Sequence, residues 1–188
     1  MFSSAEVNTE EKKFGAFKYL TYGIQELKIN KMEIKVASTG SKQVIFYAEG
    51  LPIKEEGFEG VDGALGAVGR IKTAYMKPEG EKDVVMTFAK IADAMGVRDK
   101  LDAIKSTSFE DYITKVEQVI TGKFANFVVS GDGYINNTSG KINYNLGFPK
   151  YDFVEKQGTK DSKLKFDKAN SYHFKEAVIP SNIGTSSS

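Results

Sequence analysis

The hydrophobic period of the chain changes twice along its length, and this change restricts the possible folds more than any other feature. Before residue 78, apolar and polar residues alternate in three segments, GIQELKINKMEIKVAS, QVIFYAEG and GRIKTAYMK, as they do in half-buried strands. Residues 81–121 instead repeat apolar side chains every three or four positions, which is typical of amphipathic helices. After Gly122 the strand pattern returns in KFANFVVS, and KINYNLG and KYDFVEK are predicted to be further short strands. The sequence therefore predicts the order strand, strand, strand, helices, strand, strand.

The first predicted strand contains a phase slip. Leu27 and Ile29 share one face, whereas Met32 and Ile34 have the opposite parity. A β-bulge at residues 30–31 would absorb the extra residue and bend the strand. A hairpin turn at the same place is the alternative, but the absence of glycine there counts against it.

Two helices are predicted between the third and fourth strands. Thr107 and Glu110 have the spacing of a capping box at the start of the second helix, and Gly96 and Gly122 are placed to end the two helices. The predicted core positions are Val84, Phe88, Ile91, Ala92 and Met95 on the first helix and Phe109, Tyr112, Ile113, Val116 and Ile120 on the second.

A bent first strand and helices between strands three and four are typical of a five-stranded Greek-key barrel of the OB type. The predicted fold class is therefore mainly β with a helical insertion (α+β). An open antiparallel sandwich with an inserted helical pair is the alternative, but it gives no reason for the bend. The predicted organisation is a flexible N-terminal arm (1–13), an OB domain (14–156) with a helical segment (81–121), and a partly disordered C-terminal extension (157–188).

The composition argues against catalysis and metal binding. The chain has no cysteine and one histidine, so a thiolate site or a His-rich zinc site is excluded. Asp132 in SGDGYINN suggests a calcium loop, but the alternating oxygen ligands of such a loop are missing, and a Gly-Asp-Gly turn is the better interpretation. We expect a protein that is not an enzyme, with no metal and no cofactor. Without a bilayer-spanning apolar run or a signal-like N-terminus, we also expect a cytoplasmic protein with no membrane partner.

Residues 122–153 combine aromatic rings with Gly, Asn, Ser and Lys, and the chain on both sides of the acidic residues 79–121 is basic. OB barrels bind oligonucleotides with the face of strands two and three and with the loop joining strands four and five, which we predict to be residues 131–150. Single-stranded nucleic acid needs rings for its bases and cations for its phosphates. Since a β-protein hides most of its rings, a core position is the alternative for each of them. The predicted DNA-binding residues are Tyr47, Arg70, Lys72, Tyr75, Lys77, Lys123, Tyr134, Lys141, Tyr144, Phe148 and Lys150.

Three segments, FKYLTYGIQELKINKMEI, FEDYITKVEQVITGKF and GKFANFVVSGDGY, resemble single-stranded DNA-binding proteins of tailed bacteriophages. The resemblance spans residues 14–154. It implies an OB-fold that coats single-stranded DNA during replication or recombination in the host cytoplasm, without catalysis and independently of sequence. Replication proteins and further copies of the chain are candidate partners. Many such proteins recruit partners through an acidic tail, whereas SNIGTSSS contains no acid, so recruitment through this tail is not predicted.

The leading hypothesis is thus a sequence-independent single-stranded DNA-binding protein. The alternative is a phage virion structural or assembly protein without nucleic-acid binding, which the near-neutral net charge and the Ser-rich tail also fit. A nuclease is the least supported class, because the dispersed carboxylates form no recognisable two-metal site.

Overall fold

The computed structural model describes the backbone of residues 19–51, 66–75 and 78–179, and the side chains in these ranges apart from residues 74–79. The predicted N-terminal arm and residues 180–188 of the predicted C-terminal extension lie outside the described residues. In the described ranges the strands are β1 (Gly23–Val36), β2 (Lys42–Gly50), β3 (Val68–Tyr75), β4 (Phe124–Ile135), β5 (Ile142–Gly147), β6 (Val154–Glu155) and β7 (Phe174–Lys175), and the helices are α1 (Pro78–Met95), α2 (Arg98–Asp102) and α3 (Phe109–Ile120).

Five of these strands form a closed sheet. β1 pairs antiparallel with β2, β2 with β3, β4 with β5, and β1 with β4, while β3 and β5 are parallel neighbours. The order β1-β2-β3-β5-β4 therefore returns to β1, and each of the five strands has a neighbour on both sides. The predicted mainly-β architecture with helices between the third and fourth strands is confirmed at this level.

The closure depends on a bulge in β1. Ile29 lies opposite Ala48 and Lys31 lies opposite Tyr47, so Asn30 is the extra residue. The predicted bulge is confirmed, and the hairpin alternative is wrong because β1 pairs with β2 on both sides of Asn30. Because a bulge bends its strand, β1 can pair with β2 along its second half and with β4 along its first.

The C-terminal end of α3 is hydrogen-bonded to β1 beside this bulge. The Gly122 N–H donates to the Ile29 carbonyl at 2.8 Å, and the Met32 N–H donates to Glu117 Oε2 at 2.7 Å. A buried backbone group left without a partner would cost about 1–3 kcal/mol. These bonds stabilise the bend and fix α3 against β1.

The helices contribute their predicted apolar stripes to the barrel core. Phe88 and Ile91 of α1 and Val116 and Ile120 of α3 are fully buried, and the Phe88 ring lies 5.9 Å from that of Phe46 on β2. Burying a side chain of this size stabilises the fold by about 1.5–3 kcal/mol relative to leaving it exposed. Of the other predicted positions, Val84, Ala92 and Ile113 are buried, and Met95, Phe109 and Tyr112 are partly buried against the core.

The helix α3 begins at the predicted Phe109, but its capping residue differs from the prediction by one position. Ser108 is the N-cap, and its hydroxyl oxygen accepts a hydrogen bond from the Asp111 N–H at 3.1 Å. The predicted capping box of Thr107 and Glu110 is therefore wrong. The sequence Ser-Thr-Ser at residues 106–108 offers consecutive hydroxyls, which cap equally well, so spacing alone does not select one of them.

The predicted loop over residues 131–150 is also wrong. β4 continues to Ile135 and β5 begins at Ile142, so most of this stretch is an antiparallel hairpin with a turn of only residues 136–141. The Asn136 side chain accepts hydrogen bonds from the N–H groups of Thr138 and Ser139, and Gly140 has a φ of 70°. This Asx-type turn, and not a long loop, joins the two strands.

The glycines that suggested a Gly-Asp-Gly turn lie within β4, so that turn prediction is wrong too. A Cβ atom on Gly131 would lie 2.7 Å from Tyr22 Cδ1, and one on Gly133 would lie 2.6 Å from the Ala177 backbone nitrogen. Glycine inside a strand often marks the close approach of another segment. Here Gly131 allows the segment before β1 to pack closely against β4, and Gly133 allows the segment after β7 to do so.

Residues 156–179, here called the C-terminal arm, pack back on the barrel. Leu164, Phe174 and Ala177 of the arm are buried. β7 pairs parallel with β4 at Gly131, while β6, just before the arm, pairs antiparallel with β4. This part of the predicted C-terminal extension is thus an integral part of the sheet and its packing.

Candidate nucleic-acid interface

An open cleft of about 640 Å³ lies where the outer face of β2 and β3 meets the β4–β5 hairpin. The bulge of β1 and the segment before β1 complete its walls. We call it the β2–β3 cleft. Its aromatic and polar lining residues are Tyr19, Asn30, Tyr47, Arg70, Lys72, Tyr134, Tyr144 and Asn145.

Strand alternation places the predicted residues of β2 and β3 on this face. Tyr47 lies between the buried residues Phe46 and Ala48, and Arg70 and Lys72 flank the buried Ile71. Because successive side chains of a strand point to opposite faces, Tyr47, Arg70 and Lys72 point away from the core. The three residues line the same cleft, as expected of residues predicted to share a surface.

Tyr47 is fixed by charged neighbours on both adjacent strands. It lies in register with Lys31 of β1 and Arg70 of β3. The Lys31 Nζ lies 5.5 Å and the Arg70 Cζ 5.4 Å from the centre of its ring, distances typical of cation–π contacts. The Tyr47 hydroxyl donates a hydrogen bond to Glu33, and this bond, with a smaller contribution from burial, raises the pKa of Tyr47. Tyr47 thereby contacts two cations, of which Arg70 lines the cleft.

Tyr19 and Tyr134 are the exposed rings of the cleft. Their exposed fractions are 76% and 41%, so each has ring surface available for stacking. Tyr134 was predicted from the sequence, whereas Tyr19 was missed because it precedes the first alternating strand. Tyr19 is nevertheless well placed, since it forms a parallel bridge with Val68 and the Leu20 N–H donates to the Val68 carbonyl at 2.9 Å.

A glycine in β3 is the sequence signal that could have revealed Tyr19. A Cβ atom on Gly69 would lie 2.8 Å from the Leu20 Cβ. This glycine therefore lets the segment before β1 cross β3 closely, and the crossing brings Tyr19 to the edge of the cleft.

Tyr144 is a half-buried wall of the cleft. Its ring meets the Tyr22 ring edge to face at 4.9 Å, and its hydroxyl donates to Glu176 Oε1 at 3.3 Å. Partial burial, with the nearby Glu176 carboxylate, raises the pKa of Tyr144. Part of this ring is thus occupied by protein contacts and only the rest borders the cleft.

The cleft has a positive character. Among the described residues, Arg70 and Lys72 line it and no carboxylate does. The nearest acids of β1 and β2 are already engaged, since Glu33 accepts from Tyr47 and Glu49 accepts from the Asn30 amide at 2.7 Å. An anionic ligand would therefore meet cations first.

Phe148 lies in the core and not in the cleft. Its ring centroid lies 5.3 Å from those of Phe46 and Phe127 and 4.9 Å from that of Phe153. The Phe148 ring is therefore occupied by contacts with other rings and is not available for stacking with a base. The reason is the hairpin itself, because residues just after β5 turn into the barrel, where the sequence pattern suggested a projecting loop.

The remaining predicted cations are spread over the surface. Lys123 precedes β4, at the end opposite Tyr134. Lys141 lies in the hairpin turn beside Ile142, which borders the part of the cleft next to Tyr134. Lys150 belongs to a different surface, where its Nζ lies 5.4 Å from the ring centre of Tyr151. The Tyr75 side chain and the whole of Lys77 lie outside the described residues.

No protein-family model matches the chain, and a search of curated proteins also finds no match. In the described parts of the chain, no helix is long and apolar enough to cross a bilayer, and no three His, Asp or Glu side chains gather as a metal site.

Proposed function

We propose that the protein is an OB-type barrel that binds single-stranded DNA in the β2–β3 cleft independently of sequence. The observation that carries the proposal is the combination of exposed tyrosine rings and cations in one cleft of about 640 Å³ to which the described residues contribute no carboxylate. Ligand sites in proteins commonly have volumes of about 300–1,000 Å³.

The OB assignment is supported by the closed order of the five strands, the bulged first strand shared by two neighbours, and the helices between β3 and β4. The position of the cleft also fits it. OB barrels bind oligonucleotides with the strand two and three face and with the connection between strands four and five. The face of β2 and β3 lines this cleft together with Tyr134 of β4 and Tyr144 of β5, the strands on either side of that connection.

In this proposal, bases stack on Tyr19 and Tyr134, and phosphates contact Arg70 and Lys72. Stacking on an aromatic side chain contributes about 1–3 kcal/mol per base and tolerates any base, because every base has a π-face. The Tyr47 ring and the Asn30 amide line the same cleft. Affinity that comes from stacking and phosphate contacts is expected to be independent of sequence and to weaken with salt.

The biological setting follows the sequence resemblance and is part of the proposal. We infer a role in phage DNA replication or recombination in the host cytoplasm, with replication proteins and further copies of the chain as candidate partners. Size-exclusion chromatography with light scattering tests the competing virion role. Large ring-shaped oligomers that form without DNA and do not bind it would favour that role.

Fluorescence anisotropy with labelled oligo-dT tests the proposal. The affinity of the unmodified protein is expected to fall steeply between about 50 and 200 mM salt. In the double variant Arg70→Ala/Lys72→Ala, the slope of log affinity against log salt is expected to become shallower by about 1.4, since each phosphate contact on a single strand contributes about 0.7. Lys100→Ala/Lys105→Ala is the matched control, because both lysines are exposed in the helical segment. Absence of oligo-dT binding at low salt would reject the proposal, and an oligo-U arm reports the preference between DNA and RNA.

A further inference from the structure

A second surface of rings and lysines lies at the junction of β6 and the C-terminal arm. Tyr151 and Tyr172 are 58% and 53% exposed, and their ring centroids lie 6.0 Å apart with the planes at 90°. Both rings line a small cavity of about 190 Å³ together with Lys163 and Lys165. We call Lys150, Tyr151, Lys163, Lys165 and Tyr172 the arm patch.

The arm patch is positive. Lys150 lies over the Tyr151 ring, and Lys163 and Lys165 are exposed. Asp152 is the carboxylate that lines the same cavity. His173 also lines it, and its Nδ1 accepts a hydrogen bond from the Asp167 N–H at 3.0 Å. Lysines therefore outnumber the carboxylate in the lining of the cavity, and beside it Glu155 Oε2 accepts a hydrogen bond from the Lys163 N–H at 3.2 Å.

The backbone fixes both rings in exposed positions. Asp152 has a φ of 47°, a left-handed conformation, and it separates the exposed Tyr151 from the buried Phe153. The Tyr172 N–H donates to the Asn170 side-chain oxygen at 2.9 Å, which fixes the turn that carries Tyr172. Rings held on such turns lose little conformational entropy when a ligand stacks on them.

A series of ring contacts runs from Tyr144 of the β2–β3 cleft to His173, which lines the cavity of the arm patch. Tyr144 of the cleft contacts Tyr22 at 4.9 Å, Tyr22 contacts Phe166 at 5.4 Å, and Phe166 contacts His173 at 5.9 Å. These distances set an upper limit of about 16 Å between the Tyr144 and His173 rings. A stacked strand with about 3.4 Å per nucleotide covers such a distance with about five nucleotides.

We propose that the arm patch is a second contact site for the strand bound in the β2–β3 cleft, where further bases stack on Tyr151 and Tyr172 and phosphates contact Lys150, Lys163 and Lys165. This inference rests on the function proposed for the cleft. A strand fits this surface better than a folded protein partner does. The cavity is small and its rim is cationic, whereas specific protein interfaces bury about 800 Å² per partner around an apolar centre.

The proposal predicts that the effect of the arm patch depends on oligonucleotide length. An oligo-dT of about 4 nucleotides, shorter than the span between the two surfaces, is expected to occupy the cleft alone, whereas one of about 20 reaches both surfaces, since OB folds engage about 4–16 nucleotides. Tyr151→Ala/Tyr172→Ala is expected to weaken binding of the long oligonucleotide at least fivefold and to leave the short one unchanged. Tyr151→Phe/Tyr172→Phe is expected to bind both lengths like the unmodified protein, because stacking requires the ring and not the hydroxyl.

A charge variant gives an independent readout. Lys163→Gln/Lys165→Gln is expected to make the salt slope for the long oligonucleotide shallower by about 1.4 and to leave the slope for the short one unchanged. Lys100→Gln/Lys105→Gln is the control and is expected to change neither slope. Unchanged short-oligonucleotide binding also reports that each variant is folded.

The outcomes separate the two proposals. If the unmodified protein binds both lengths and the arm-patch variants bind the long one equally well, the inference is overturned, the cleft proposal stands, and the patch is left for a protein partner. If the unmodified protein binds neither length, the cleft proposal fails, and the inference fails with it. A loss confined to the long oligonucleotide supports both.

Discussion

Tyr19 and Tyr22 are three positions apart in the chain but have opposite environments. Tyr19 is largely exposed at the edge of the β2–β3 cleft. Tyr22 packs against the rings of Tyr144, Phe166 and Phe174, and we call these four residues the arm cluster. The difference arises because Phe166 and Phe174 of the C-terminal arm pack on Tyr22, whereas no described residue of the arm lines the cleft at Tyr19. Whether a ring is available to a ligand or instead stabilises the fold therefore depends on whether another segment of the chain packs over it.

The arm cluster and the cleft are thus expected to respond differently to mutation. The cluster is further stabilised by Lys168, whose Nζ lies 5.2 Å from the Tyr22 ring centre and 5.1 Å from that of Phe174. Changes in the cluster are expected to lower the free energy of unfolding. Changes in the cleft are expected to lower the affinity for DNA and leave unfolding unchanged.

The largest expected effect is on stability, from Phe174→Ala. Phe174 is buried and contacts both Tyr22 and Tyr144, so its removal is expected to lower the free energy of unfolding by about 3–5 kcal/mol. Urea denaturation measures this change. Tyr172→Ala, two positions earlier and exposed, is the control and is expected to stay within about 0.5 kcal/mol of the unmodified protein. Equal losses in the two variants would show that the arm does not cover the cluster.

The next prediction compares Gly131, where the chain packs against Tyr22, with Gly69, where it packs against Leu20. Gly131→Ala brings a Cβ atom to 2.7 Å from the Tyr22 ring, and the forced displacement is expected to cost about 1–3 kcal/mol of stability without weakening DNA binding by the folded protein. Gly69→Ala pushes against Leu20 and so displaces Tyr19. This second variant is expected to weaken oligo-dT binding as well. Identical binding by both variants would contradict the separation of cluster and cleft.

A direct loss of affinity is expected from Tyr19→Ala. Removing one stacking ring is expected to cost about 1–3 kcal/mol in oligo-dT binding, measured by anisotropy, with no change in the urea midpoint. Tyr19→Phe keeps the ring and is expected to bind normally. If Tyr19→Ala binds oligo-dT as tightly as the unmodified protein does, Tyr19 is not part of the interface.

The smallest expected effect comes from Glu176, which lies where the cluster and the cleft meet. Glu176→Gln removes a carboxylate beside Tyr144 and is expected to strengthen oligo-dT binding slightly at low salt, with the gain disappearing as salt screens the charge. Because the Glu176 carboxylate also raises the pKa of Tyr144, the variant is expected to shift that pKa toward its ordinary value. Anisotropy and ultraviolet titration of tyrosine measure the two changes. A weakened affinity at low salt would contradict this assignment.

Features that depend on local sequence period could be predicted. The bulge at Asn30 follows from a parity change between neighbouring apolar residues, and the buried faces of α1 and α3 follow from their 3.6-residue spacing. For the same reason, Tyr47, Arg70 and Lys72 could be placed on one outward face. Each of these is a property of one strand or one helix, so no knowledge of distant segments was needed.

Features that depend on distant segments could not be predicted in this way. The glycines at 131 and 133 suggested a turn, because the sequence does not show that Tyr22 and Ala177 would lie against them. Phe148 and Tyr134 belong to the same ring-rich stretch, yet Phe148 packs in the core and Tyr134 is exposed, since the hairpin turns only the later residues inward. Tyr19 was missed because its position depends on a crossing over β3.

Photocrosslinking tests most directly whether the exposed rings of the cleft contact bases. An oligo-dT carrying iodo-deoxyuridine would be bound, irradiated and digested with the protein, and fragment spectra would distinguish Tyr19 from Tyr22 within one peptide. Crosslinks are expected at Tyr19 and Tyr134 and not at Tyr22 or Phe174. Crosslinks at Tyr22, Phe166 or Phe174, or bound DNA without crosslinks at Tyr19 and Tyr134, would contradict the proposed interface.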